Sequence, residues 1–121
     1  MSTLKNRVLL TGNVGQDPVL KTIDSGSKVV NLSIAVNERF KKKGDSEYTI
    51  NTYWHNLVAW GNTAENINKV VKAGHNISIE GKLTSRKYED KEGNNRYVTE
   101  VLLSDFEDHT YIALKQLEST K

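Results

Sequence analysis

The sequence predicts an all-β fold, a five-stranded Greek-key barrel with one helix between the third and fourth strands. Three observations lead there. Apolar residues recur with a period of two over most of the chain, one short stretch switches to the helical period, and turn residues separate the alternating segments. With 121 residues, 36% hydrophobic and 26% charged, the chain has material for one domain. A chain of this size buries roughly two thirds of the surface it exposes when unfolded, so a core forms without staples.

Residues 6–12 (N-R-V-L-L-T-G) read as the first strand, and residues 19–23 continue it after the turn-forming G-N-V-G-Q-D-P, where Pro18 bends the strand. Over residues 28–39, Val30, Leu32, Ile34 and Val36 alternate with Val29, Asn31, Ser33 and Ala35, the pattern of a strand with one face on the core. Residues 49–60 (T-I-N-T-Y-W-H-N-L-V-A-W) are rich in β-branched and aromatic side chains, but both faces are partly apolar, so something besides the core is expected to cover one of them. Residues 62–73 then place Ala64, Ile67, Val70 and Val71 on one helical stripe. Asn62 with Glu65 resembles a capping box, and Gly74 stands where a glycine ends a helix. Strands over residues 76–88 and 96–105 follow, joined by the polar hairpin loop 89–95; a weak extra strand over 111–117 precedes a frayed polar end, 118–121. Five strands with a helix after the third is the order of the OB-fold, a partly open barrel that binds oligonucleotides or oligosaccharides. Helices do not alternate with strands, which argues against a doubly wound fold.

Composition excludes several functions. The absence of cysteine removes a disulfide scaffold, a thiol nucleophile and any thiolate metal site. The first seven residues hold no signal-like apolar run, and no stretch approaches the roughly 18 apolar residues of a membrane span, so a cytoplasmic, nucleoid-associated chain is expected. The net charge is only +2, but it is unevenly placed: residues 1–44 carry eight Lys or Arg against three acids, and the rest of the chain is slightly acidic.

Aromatic and basic residues meet near the strand ends. Phe40 precedes Lys41-Lys42-Lys43, Tyr88 follows Arg86-Lys87, and Trp54 and Trp60 lie six residues apart, hence on one face of a strand. Single-stranded nucleic acid needs this combination, because each base stacks on a flat ring while cations follow the phosphates. The bland alternatives are that the rings fill the core and that the three lysines form a solvated loop. Asp105, Glu107, Asp108 and His109 could in principle hold a divalent ion for phosphodiester hydrolysis, although their spacing matches no ligand motif. His55 has no serine or carboxylate placed to partner it and reads as packed or at an interface. Glycines 12 and 15 make a bend and not a phosphate loop, since no Gly-Lys-Ser/Thr follows.

Four segments together, N-R-V-L-L-T-G-N-V-G-Q-D-P (6–18), T-Y-W-H-N-L-V-A-W-G (52–61), I-E-G-K-L-T-S-R-K-Y (79–88) and N-R-Y-V-T-E-V (95–101), resemble the DNA-binding domain of bacterial single-stranded-DNA-binding proteins. The resemblance spans about residues 4–106 without gaps. It implies a domain over residues 1–106 and a short extension over 107–121. It also implies an OB-fold that assembles as a homotetramer and wraps single-stranded DNA in replication, repair and recombination, with no catalysis and no cofactor or metal. Carried over by position, it makes Phe40, Trp54, Trp60 and Tyr88 the stacking residues and Lys43, Lys72, Arg86 and Lys87 the phosphate contacts, and it puts His55 at a subunit contact. The family more commonly has Trp, Phe and Trp at 40, 60 and 88, and often a basic residue where this chain has Asn56 and Asn62, so weaker binding is expected. The family usually continues into a flexible linker and an acidic tail that recruits other enzymes; no such segment is seen, and tail-mediated recruitment is not expected. A dimeric OB-fold protein of replication restart is the alternative.

Overall fold

The structure, a computed structural model, describes residues 5–44 and 46–119; the first four residues of the expected domain and the last two of the polar end lie outside the described residues. Alternation of side chains builds six strand segments: β1 (Val8–Val14), β2 (Val19–Thr22), β3 (Lys28–Phe40), β4 (Thr49–Trp60), β5 (Asn76–Glu89) and β6 (Asn95–Asp108). Two helices complete the chain, α1 (Gly61–Val70) and α2 (His109–Ser119). β1 and β2 are the halves of one strand interrupted around Pro18, so the helix α1 does follow the third strand of five.

The sheet order is β1-β5-β6-β4-β3-β2, and an additional pairing of β1 with β3 closes it into a barrel. All neighbours are antiparallel except β4 and β6, which run parallel at Leu57↔Val101 and Val58↔Leu102. Closure depends on Gly12, because a Cβ there would stand 2.5 Å from the Ala35 carbonyl oxygen of β3. Inside lie Val14, Val30, Ile34, Leu57, Ala59, Ile77, Ile79, Val101 and Leu103, with Ala64 and Ile67 of α1 plugging one end. The expected core face of β3 is therefore the observed one. Each of these side chains contributes about 1.5–3 kcal/mol by leaving water.

The helix start differs from expectation. α1 begins at Gly61, directly after β4, and its N-cap Trp60 makes no side-chain cap bond, so Asn62 and Glu65 form no capping box. Gly61 takes φ +60°, a left-handed conformation that lets a strand reverse into a helix with no intervening loop. The helix also ends earlier, with Val71 as C-cap, and Gly74 belongs to the following turn, where its N–H donates to Val14 O.

The extra strand expected over 111–117 is a helix, α2. Asp108 is the reason: its Oδ1 accepts the Tyr111 N–H at 2.9 Å, an N-cap, while Oδ2 accepts from His75 Nδ1 at 2.8 Å. Downstream, Ala113-Leu114-Lys115-Gln116-Leu117-Glu118 are all strong helix formers. Thr110 Oγ1 accepts the Asn76 N–H at 2.9 Å and ties the first turn to β5.

Candidate nucleic-acid interface

Register decides which predicted residues meet. On β4, Leu57 and Ala59 point into the barrel, so Trp54, Asn56, Val58 and Trp60 face outward with Ala35, Ser33, Asn31 and Val29 opposite them on β3. The same outward face continues across the parallel pairing to Leu102 and Glu100 of β6 and to Thr84, Arg86 and Tyr88 of β5. The result is an open groove. Its wall on one side is β2 and β3, with Val19, Lys21, Asn31 and Ser33; on the other stand Arg86, Val98 and Glu100 of the long β5–β6 hairpin. It runs on along Val29, Val58, Trp60 and Leu102.

The tryptophans are not core residues. Trp54 is 61% and Trp60 45% exposed, as is Tyr88 at 45%, whereas Val58 between the tryptophans is buried. The bland reading of these rings as core filler therefore fails on this face. Trp54 lies with its ring against the β1–β2 turn, close over Gly15 and Ser33. The apolar second face of β4 is thus a lined groove carrying two bare indoles.

Arg86 has a partner that sequence reasoning missed. Its Nε donates to Glu100 Oε1 at 3.0 Å; the Glu100 side chain is nearly covered while that of Arg86 is 60% exposed. The guanidinium also stands 6.0 Å from the Tyr88 ring centroid. A carboxylate on the groove wall would repel phosphate, and the arginine over it offsets that charge and is itself held in place.

The remaining predicted residues are more scattered. Lys87 alternates to the opposite face of the hairpin and pairs with Tyr97, away from Arg86. Phe40, opposite Thr49, is half-buried and lies on the face opposite Trp54 by register. Lys43 is exposed in the β3–β4 loop and Lys72 in the α1–β5 turn. His55, half-buried and opposite Ile34, points to the core side of β4. The acidic cluster is put to structural use: Asp108 caps α2, and His109 Nε2 lies 2.7 Å from Ser78 Oγ. Among the described residues no group of three or more His, Asp or Glu could hold a metal ion. Nor is any described helix long and apolar enough to cross a membrane.

An outward-facing groove with stacked-strand walls, bare indoles and an arginine is a surface for a flexible polyanion with flat groups. The sequence profile of the Single-strand binding protein family matches residues 5–108. The chain belongs to this family. It is a family of non-catalytic DNA-binding proteins. Among solved structures, the chain is similar to a Plasmodium falciparum SSB in complex with ssDNA, with 28% sequence identity and a TM-score of 0.77. That likeness covers 89% of this chain and 97% of the other. The family thus carries the OB-fold expected from strand order, with β1 and β2 counted as one strand.

Proposed function

We propose that this SSB-family chain binds single-stranded DNA without sequence preference, by stacking bases on Trp54, Trp60 and Tyr88 and neutralising phosphates with Arg86 and the exposed lysines. The observation that carries the reading is the pair of exposed indoles on one face of β4, lining the same groove as Arg86. The similar Plasmodium protein is one seen with ssDNA, which supports the same ligand here. Lys43, Lys72 and Lys87 act as outlying phosphate contacts, with Phe40 as a ring on the far side of the arm. Bound in this way, the strand is kept open and protected during replication, repair and recombination in the cytoplasm, with no chemistry performed on it.

A homotetramer is part of the proposal. The isolated chain exposes 8897 Å², about a third more than the roughly 6,600 Å² of a compact monomer of this mass. Surface in that excess is what subunit contacts cover, and a closed arrangement of four copies of one chain is the simplest that leaves no free edges. His55 belongs to such a contact. Light scattering at micromolar protein tests it: a mass of four chains is expected, and a mass of one chain refutes it.

Titration with oligo-dT over a range of salt tests the binding mode. The slope of log K against log salt is about −0.7 for each phosphate neutralised, so Lys43, Lys72, Arg86 and Lys87 give about −3 per engaged subunit. Trp54→Ala costs about 1–3 kcal/mol of affinity at unchanged thermal stability. A flat salt dependence, or a Trp54→Ala protein that unfolds, overturns the reading.

A further inference from the structure

Beyond the groove, the tip of the β3–β4 hairpin carries a second pairing of an exposed ring with cations. Tyr48 is 59% exposed, the Arg39 guanidinium stands 4.7 Å from its ring centroid, and Lys41 Nζ stands 5.9 Å from the same point. Arg39 lies opposite Ile50 in the ladder, on the outward face that carries Trp54, and Ile50 is itself 61% exposed. Tyr48, Trp54 and Trp60 are spaced six residues apart, and at about 3.3 Å per residue each step along the strand is about 20 Å. The charge matches a polyanion: Arg39, Lys41, Lys42 and Lys43 are nearly consecutive, while Glu38 falls on the opposite face, across from Asn51. The other acids of the segment, Asp45 and Glu47, come after the lysines in sequence.

We infer that the outward face of the β3–β4 arm is a further contact for single-stranded nucleic acid, with Tyr48 as a stacking platform and Arg39 and Lys41 as its cations. The inference rests on the reading of Trp54 and Trp60 as stacking residues and extends their line past the barrel. Arg39 steadies the Tyr48 ring by cation–π attraction, so less freedom is lost when a base lands on it. A strand short enough to be held by the groove does not reach Tyr48; a longer one leaving Trp54 along the arm does.

The test compares Tyr48→Ala, Tyr48→Phe and Arg39→Gln with the unaltered protein, on oligo-dT of about 8 and about 30 nucleotides, lengths chosen around the site size of one OB-fold. Tyr48→Ala is expected to weaken binding of the long ligand about 5- to 150-fold and to leave the short one within about twofold. Tyr48→Phe keeps the ring and retains affinity. Arg39→Gln makes the salt slope on the long ligand shallower by about 0.7. Equal weakening on both lengths, or none on either, overturns the arm contact while the groove reading stands. If Trp54→Ala leaves binding of the short ligand unchanged, the groove reading is what fails, and the arm contact falls with it.

Discussion

Gly15 and Trp54 are packed so closely that a Cβ on Gly15 would stand 2.8 Å from Cζ3 of the indole. The β1–β2 turn thereby sets the ring of the most exposed tryptophan, and the Gly15 N–H is spent on Ser33 O at 3.0 Å, which fixes the turn to β3. Gly15→Ala must push the ring aside. The expected result is a shifted tryptophan emission and a loss of oligo-dT affinity of about 1 kcal/mol, at the lower end of what one stacked base supplies, with the melting temperature nearly unchanged. Fluorescence and calorimetry on the same sample check both halves.

The Arg86–Glu100 pair gives a prediction of opposite sign. Glu100→Gln keeps a hydrogen-bond acceptor for the guanidinium and removes the negative charge from the groove wall. Arg86 then counts fully against a phosphate, and the salt slope is expected to steepen by about 0.7, with tighter binding at low salt. Titrations at several salt concentrations read it directly.

Barrel closure supplies a stability test remote from the DNA. At Gly12 a Cβ would meet the Ala35 backbone at 2.5 and 3.0 Å, and backbone cannot move aside as a side-chain tip can. Gly12→Ala is expected to cost about 1–3 kcal/mol in urea unfolding, the range for overpacked sites. The fraction that remains folded should bind oligo-dT as before.

The tip of the β5–β6 hairpin responds to acid. The Asn94 N–H and the Arg96 guanidinium beside Asp90 hold its carboxyl below the usual aspartate range, helped by the Glu92 N–H. A folded pKa below the unfolded one means the turn's stabilisation is complete above the unfolded value of about 3.9 and is lost as pH falls through the lower folded one. Amide signals of Glu92 and Asn94 are therefore expected to be unchanged from neutral pH to about 4 and to broaden only below it. Loss of those signals between pH 7 and 5 would contradict this.

Much of the fold could be read from the chain because the barrel has one wet and one dry face. Alternation over Val30, Leu32 and Ile34 located β3, and β4 was delimited at Thr49 and Trp60 by its aromatic content. Local capping was harder to read. Asn62 and Glu65 have the right spacing for a box, but Gly61 starts the helix one residue too early for it, and a left-handed glycine leaves no pattern in neighbouring residues. At α2 the β-branched and aromatic Tyr111-Ile112 suggested a strand, while the cap that decides the matter, Asp108, looked like part of an acidic cluster.

The groove was legible only in part, for a related reason. Trp54 and Trp60 share a face by simple parity, and that parity also extends to Tyr48, a signal present in the sequence and passed over. Glu100, by contrast, reaches Arg86 through pairing of two strands, Thr84↔Glu100 and Arg86↔Val98, and depends on a register that composition does not fix. Lys87 shows the converse: adjacent to Arg86 in sequence, it faces the other way.

Tryptophan fluorescence during titration with oligo-dT and with the matching duplex, at low and moderate salt, tests the central claim most directly. The exposed Trp54 and Trp60 are the only tryptophans of the chain, so the signal reports the groove alone. Strong quenching by oligo-dT, weaker at higher salt, with little change on adding duplex, is the predicted result. Absence of quenching by either ligand, or equal quenching by both, would contradict stacking of single-stranded bases on this face.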